Sequence, residues 1–359
     1  MLTGDIIIYG LGVAGATLAY TTSKMGFNVV GLDIAPYYRK ACGDVVTLRG
    51  YTWELLKITD SVLTFVKRFE VRVGGVEVAY VDFKEPIWAM VNKPKLVNTL
   101  RSMAEGEGAR IVISRGVPTR GNGVVVDARG PYAHRTETSV LTVRIIANAS
   151  WEQDLALLDF DTERLGYYWV FPLDDGSRVN LGVGLMGVRD GRLLKALALR
   201  YYRKLTGVDP VVLDVRGAPI AVEAPVKLQE GGVYKVGEAA GLVNSTTGEG
   251  NRYAIHSAIA LAKALNHDEG VEGYTKLLQG ILDEITLSRL ILRLVKTLGP
   301  RTIPMLMTNA PREFWVNWFK GKLTRRTLIE ILKDTSYTLI LGSARRLNTA
   351  FQLLLLNIS

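Results

Sequence analysis

Residues 236–255, VGEAAGLVNSTTGEGNRYAI, set Gly237, Gly241, Gly248 and Gly250 around two carboxylates, Glu238 and Glu249, just before an apolar stretch. Glycine costs backbone entropy and is kept where a chain turns sharply or admits a ligand to its main chain. Four within fourteen residues suggest a ligand, a plain loop and cap being the alternative. A second glycine set, Gly10-x-Gly12-x-x-Gly15, lies near the N-terminus, with an acid, Asp33, about twenty residues on. That spacing suits a pyrophosphate approaching backbone N–H groups at a helix N-terminus, with the carboxylate on a ribose hydroxyl. Cys42, the chain's one cysteine, stands in Ala-Cys-Gly-Asp after Arg39 and Lys40. Gly43 lets that backbone come close, and Asp44 can anchor the loop. Cys42 is therefore a candidate ligand contact as well as a candidate small core residue. The three histidines, His134, His256 and His267, have no spacing that suggests a metal site or a triad.

These residues need elements to hold them. Ile6–Ile8 form a buried β-branched run, Gly10-x-Gly12-x-x-Gly15 opens the helix that follows, Gly26 ends it, and Val29 and Val30 lead to Asp33. The result is a Rossmann-type βαβ unit. A nicotinamide enzyme can complete its cofactor site there, whereas a flavoprotein of this kind needs a second, distant segment. Residues 233–262 suit that role as a short strand, a loop and a helix with Ile255, Ala258, Ile259 and Ala262 on one face. The open N-terminus of that helix carries partial positive charge suited to the pyrimidine edge of a reduced flavin.

Between the two segments the pattern alternates as antiparallel strands do. Val71 and Val73, Gly74-Gly75, then Val76, Val78 and Tyr80 read as a hairpin. Val179, Leu181, Val183 and Leu185 read as a half-buried strand, with Tyr167–Phe171 as its partner. From about Leu287 the pattern is helical. Phe314, Trp315, Trp318 and Phe319 precede Lys320, Lys322, Arg325 and Arg326, which suits a membrane-surface segment or a packed helix with a solvated basic face.

Composition bounds the class. With 48% hydrophobic and 22% charged residues over 359 positions, the chain is globular and long enough for more than one domain. No run of eighteen apolar residues and no secretory leader is found, so a cytoplasmic location is expected. The net charge of +9 favours a polyanion or an anionic membrane surface. No nucleic-acid motif accompanies it, so peripheral contact with the inner membrane surface is the expectation.

Four stretches carry a specific resemblance: GLGVAGATLA, ACGD at 41–44, YYWVFP at 167–172 and VGEAAGLVNSTTGEG. In this order and spacing they resemble the geranylgeranyl reductase family, flavoproteins with a p-hydroxybenzoate hydroxylase-type fold. Tyr167, Trp169, Phe171 and Pro172 match the family's Tyr-x-Trp-x-Phe-Pro without exception. The resemblance implies an α/β fold: a Rossmann-type FAD-binding domain from 1–50, 90–150 and 215–265, an inserted antiparallel substrate sheet from 51–89 and 151–214, and a C-terminal helical region, 266–359. It implies FAD held by Gly10, Gly12, Ala14, Gly15, Asp33 and the Cys42-Gly43-Asp44 loop, with Lys93, Gly237, Glu238, Gly248, Gly250 and Asn251 completing the site. Tyr167, Trp169, Phe171 and Pro172 are then the substrate wall, and Cys42 and Tyr167 the candidates for chemistry. The implied substrate is a prenylated lipid, such as the geranylgeranyl chains of archaeal-type ether lipids, and the implied electron donor is ferredoxin or NAD(P)H. No metal is expected. The chain departs from the family at Glu238 for Asp, Ser245 for Pro, Asn251 for Ile and Lys93 for Arg, the last losing a planar bidentate fork. A monooxygenase or halogenase of the same superfamily, or a flavin protein without turnover, are the other readings.

Overall fold

The structure, a computed structural model, describes residues 5–38, 40–119 and 123–326. It begins with β1 (Ile6–Tyr9), α1 (Val13–Lys24), β2 (Val29–Asp33), β3 (Val45–Thr47) and α2 (Tyr51–Thr59). Four strands follow, β4 (Val62–Val66), β5 (Arg68–Val73), β6 (Val76–Asp82) and β7 (Trp88–Val91), and then α3 (Lys93–Gly106), β8 (Arg110–Ile113) and β9 (Val124–Asp127). The middle holds β10 (Val140–Asn148), β11 (Leu155–Phe160), β12 (Gly166–Leu173), β13 (Arg178–Leu185), α4 (Gly191–Thr206) and β14 (Val211–Ile220). After β15 (Gln229–Glu230) and β16 (Val233–Lys235) come α5 (Asn251–Asn266), α6 (Gly270–Leu298), α7 (Ile303–Thr308) and α8 (Arg312–Phe319).

Residues 1–64, 88–140 and 218–282 make one compact unit, and 65–87, 141–217 and 283–359 the other, insofar as their residues are described. The first contains a six-stranded sheet, β15-β16-β9-β1-β2-β8, in which β1 pairs in parallel with β2 and β9. Its strands read as continuous apolar runs because they are covered on both faces; Ile6, Ile8 and Val29 are fully buried. A three-stranded sheet, β3-β7-β4, accompanies it.

The second unit is built on a seven-stranded sheet, β14-β10-β13-β12-β11-β5-β6. The β5–β6 hairpin turns at Gly74 and Gly75, both at positive φ, the two-residue geometry that matches strand twist. β12 pairs antiparallel with β13, Trp169 opposite Gly182. On one face Leu194, Ala198 and Tyr202 of α4 pack with Ile145, Leu157, Val170 and Leu181. The other face bears Phe69, Phe160, Tyr167, Trp169 and Phe171, against which α8 lays Phe319, stacked on Phe69 at 4.3 Å, and Trp318, 5.8 Å from Phe160.

Several boundaries differ from the expected ones. α2 belongs with the nucleotide-type unit rather than with the inserted sheet, and β10 belongs to the second sheet because its ladder partner is β13. The helical tail is not separate, since the division falls within α6. The aromatic cluster of 314–319 is largely packing: Trp315 and Phe319 are buried, and Lys320 lies over the Phe83 ring at 5.2 Å. Residues 327–359, including most of the basic and leucine-rich tail read as helical, lie outside the described residues.

Candidate functional site

The three glycines of the first turn have different jobs. A Cβ at Gly10 would lie 2.7 Å from the Ala128 carbonyl oxygen, and one at Gly15 would lie 1.9 Å from that of Gly10. Both are required by backbone packing. At Gly12 a Cβ would meet only Tyr38 Cε2, at 3.6 Å, so this glycine is not needed by the fold. It caps α1 without a side-chain hydrogen bond, leaving the first N–H groups of the helix available. A surface that needs no side chain here, beside unsatisfied donors, fits a phosphate-bearing cofactor.

Asp33 ends β2 and accepts from the Leu11 N–H at 2.6 Å and from Arg101 Nη2 at 2.8 Å. Arg101, on α3, also donates to the carbonyls of Leu11, Ala35 and Pro36, and its burial pushes the guanidinium down from its ordinary range despite Asp33. Asp33, expected to meet a ribose hydroxyl, is thus oriented by protein donors, and with about four lone-pair sites a carboxylate can accept a further one. Spacing alone did not disclose Arg101, whose partners lie up to 90 residues away.

The second glycine segment converges on the first. Gly237, at φ +57°, packs between Ala14 and Ala254: a Cβ there would come within 2.9 Å of the Ala14 methyl. Its N–H donates to Ser257 Oγ on α5 at 2.8 Å. Glu238 accepts from Lys40 Nζ at 2.8 Å and from the Ala221 N–H at 2.7 Å, so both carboxylate oxygens have protein partners. The longer side chain in place of Asp thereby acquires an anchoring role within the protein. Gly248 turns the chain at φ +68°, and Gly250 caps α5 with no side-chain bond.

The substituted residues at the start of α5 are turned inward. Arg252, fully buried, donates to both oxygens of Glu249, at 3.0 and 3.3 Å, and Thr47 Oγ1 donates to the same carboxylate at 2.8 Å. Burial alone would raise the Glu249 carboxyl; Arg252 and Thr47 outweigh it and hold the group below the usual carboxylate range. Asn251 Nδ2 donates to the Val45 carbonyl at 2.8 Å and reaches Cys42 Sγ at 3.6 Å, while His256 Nε2 bonds the Arg49 carbonyl at 2.9 Å. Segment 42–49 is therefore stitched to α5 by Asn251 and His256 and to the turn before it by Thr47 on Glu249, and Cys42 is seated at the α5 N-terminus. Asp44 makes the tight bend of that loop at φ +58°.

Lys93, the first residue of α3, is 3% exposed. Its ammonium reaches Asn251 Oδ1 at 3.5 Å and lies 5.4 Å over the Tyr38 ring. Burial would push the group down, yet Cys42, Tyr38 and Asp44 hold it above its ordinary range, so it stays charged. Burial in turn pushes the Tyr38 phenol up, against the opposing pull of Lys93 and Lys40. Gly12, Tyr38, Lys93, Cys42 and Asn251 thus form a chain of neighbours from the α1 turn to the α5 N-terminus.

A third glycine turn was not singled out from the sequence. β9 ends in Asp127-Ala128-Arg129-Gly130, where Arg129 forks onto Asp127 at 3.0 and 2.9 Å, and Ala128 and Arg129 abut Gly10. Its signal was available: a β-branched run, Val124–Val126, closing on an acid as β2 does at Asp33 and reaching a glycine soon after, as β1 does at Gly10.

In the second unit Tyr167, Trp169 and Phe171 share one face of β12, with successive ring centroids 6.1 and 6.3 Å apart. The Trp169 indole lies over Gly182 and its N–H donates to Asn180 Oδ1 at 3.0 Å, which fixes the ring. Pro172, expected in the same wall, falls on the opposite face, because side chains alternate along a strand and its ladder partner, Val179, packs in the α4 core. Among the described residues no cluster of His, Cys, Asp and Glu could hold a metal, and no helix is long and apolar enough to cross a membrane.

No family model matches the chain. Among curated proteins, a menaquinone reductase of Mycobacterium tuberculosis is 28% identical over 320 residues, spanning 74% of this chain and 77% of that protein. A digeranylgeranylglycerophospholipid reductase of Methanosphaera stadtmanae is 27% identical over 115 residues, 31% of this chain and 29% of its own. Among solved structures, a geranylgeranyl bacteriochlorophyll reductase-like protein from Thermoplasma acidophilum matches with a TM-score of 0.64 at 17% identity, covering 93% of this chain and 96% of that one. A flavin-dependent brominase matches with a TM-score of 0.66 at 13% identity over 89% and 93% of the two chains. A probable FAD-dependent monooxygenase from Pseudomonas aeruginosa gives 0.62 at 20% identity over 83% and 96%. The chain therefore has the fold of these solved structures, and the resemblance to geranylgeranyl reductases read from its motifs stands.

Proposed function

We propose that the protein is an FAD-dependent reductase that saturates isoprenoid C=C bonds. The observation that carries this reading is the Tyr167–Trp169–Phe171 face, a row of fixed rings whose one indole N–H is already bonded to Asn180. An isolated alkene offers no polar handle, so such a substrate is selected by shape and apolar burial, about 25 cal/mol per Å2 of apolar surface. The curated relatives point the same way. A menaquinone and a digeranylgeranylglycerophospholipid share no headgroup, but each carries isoprenoid chains. The favoured substrates are therefore geranylgeranyl chains of ether lipids and the prenyl tail of a quinone.

When bound, the reduced flavin supplies a hydride to one carbon of the double bond. The chain's residues hold the cofactor along Gly12, Lys93 and the α5 N-terminus, and they present the apolar wall. A proton must reach the second carbon, and Cys42 Sγ and the Tyr167 hydroxyl are the candidate donors. Replacing Cys42 by Ser keeps a partner for Asn251 Nδ2, so flavin content is expected to stay at the wild-type level while prenyl reduction slows. Unchanged turnover would make Cys42 a packing residue, and loss of all flavin would show that the loop is built around it.

The function itself is tested by bleaching the bound flavin without oxygen and adding prenyl lipids. Recovery of the oxidised spectrum by a geranylgeranyl ether lipid, and not by its saturated counterpart, is the expected result. A second reading, oxygen-activating chemistry, draws on the monooxygenase and brominase neighbours. It predicts recovery only with oxygen.

A further inference from the structure

Helix α4 buries Leu194, Ala198 and Tyr202, packs Leu197, Leu199, Tyr201 and Leu205 partly against the same core, and turns its remaining arc outward. On its outer arc Arg192, Lys195, Arg200, Arg203 and Lys204 are all exposed, and the helix contains no acid. From 189 to 209 there are six basic and two acidic residues, a net four of the chain's nine positive charges. The nearby carboxylates are engaged. Asp190 caps α4 through the Arg192 and Leu193 N–H groups, Asp209 lies 3.4 Å from Arg203, and Asp214 pairs with Arg144 and Arg216 at 3.0 and 2.9 Å.

A few residues after this helix, the edge strand β14 begins with three consecutive exposed apolar residues, Val211, Val212 and Leu213, at 63, 39 and 50% exposure. Neither face of the strand is covered there. Val208, just before the strand, is 60% exposed and adds to this apolar surface. Soluble proteins rarely leave such surface open without a use, and edge strands are usually guarded rather than apolar. Long cationic side chains together with exposed aliphatic ones are the composition that binds an anionic lipid interface: the stems and valines enter the headgroup boundary while the charges remain at the phosphates.

We propose that the outer face of α4 and the start of β14 dock this protein on an anionic bilayer. The surface differs from the aromatic segment 314–319, whose larger rings are packed inside the second unit. The docking holds whatever cofactor the protein binds, and it places the enzyme where water-insoluble prenyl chains reside.

The test is sedimentation of the full chain with vesicles of phosphatidylcholine, alone or mixed with phosphatidylglycerol. Wild type should partition to the mixed vesicles, more at low salt than at high. Each cation at such a surface contributes about 1 kcal/mol, so joint substitution Arg192→Glu, Lys195→Glu, Arg203→Glu and Lys204→Glu should weaken partitioning by at least about a hundredfold. Val211→Ser, Val212→Ser and Leu213→Ser together should weaken it while leaving the salt dependence. The same four cations changed to Gln decide the matter if the Glu set fails to fold by circular dichroism. The proposal is overturned if wild type ignores mixed vesicles, if the α4 variants bind as wild type does, or if Lys320→Glu, Lys322→Glu and Arg325→Glu cost as much. It is equally overturned if the α4 changes abolish capture of a protein partner while vesicle binding persists.

Discussion

Replacing Gly12 with Val is expected to yield a folded, colourless protein. The site tolerates a Cβ as far as the protein is concerned, its nearest atom being Tyr38 Cε2 at 3.6 Å. The two methyls would instead stand where a pyrophosphate must approach the N-terminus of α1. Overpacking of this kind costs about 1–3 kcal/mol, roughly fivefold to over a hundredfold in affinity. The neighbouring glycine supplies the control. Gly15→Ala drives a methyl into the Gly10 carbonyl at 1.9 Å and should lower the melting temperature whether or not flavin is present. Flavin titration and thermal melting of both variants separate the two effects. Full flavin content in Gly12→Val would remove the first turn from the cofactor site.

The second large effect is expected at Lys93. Its buried ammonium meets Asn251, the first residue of α5, so it adds a full charge to the positive end of a 16-residue helix. Glu249 does not cancel it, because that carboxylate is already paired with Arg252, and Asp44 opposes it only in part. A flavin ring at this helix end would have its reduced, negatively charged form stabilised. Removing the charge by Lys93→Met should shift the midpoint potential of the bound flavin to more negative values by about 30–60 mV, equivalent to about 1.4–2.8 kcal/mol for a two-electron couple. Lys93→Arg, which restores the charge, should stay close to wild type. Spectroelectrochemical titration reads the potential without any turnover. An unshifted potential in Lys93→Met would confine Lys93 to a structural role, and loss of flavin would make it a binding contact instead.

What was legible in the sequence is what is encoded locally. The β1–α1–β2 unit, the Gly74-Gly75 hairpin, the β12–β13 pair and the helix after Gly250 all follow from period, turn residues and caps within a few tens of residues. Less legible was which sheet a strand joins. β10 reads as an ordinary apolar strand, and only its pairing with β13 takes it out of the first unit. The charged partners were also hidden: Lys40 meets Glu238 across 198 residues and Lys93 meets Asn251 across 158, separations over which no pattern carries pairing. The aromatic run 314–319 announced an apolar face without disclosing its cover. In the structure that cover is Phe69 and Phe160. Pro172 illustrates the reverse case, a motif residue whose place on the strand puts it on the face opposite to its neighbours' rings.

Whether isoprenoid double bonds are reduced is decided by the mass of the product. Reduced protein, kept without oxygen, is incubated with a geranylgeranyl ether lipid or with menaquinone, and the lipids are extracted and then exposed to air. Reduction of a quinone ring alone is undone by air and returns the starting mass, whereas a saturated chain keeps its added hydrogens. The account predicts products heavier by two hydrogens per double bond that survive this exposure. Products that gain oxygen, formed only when air is present during the reaction, would contradict it.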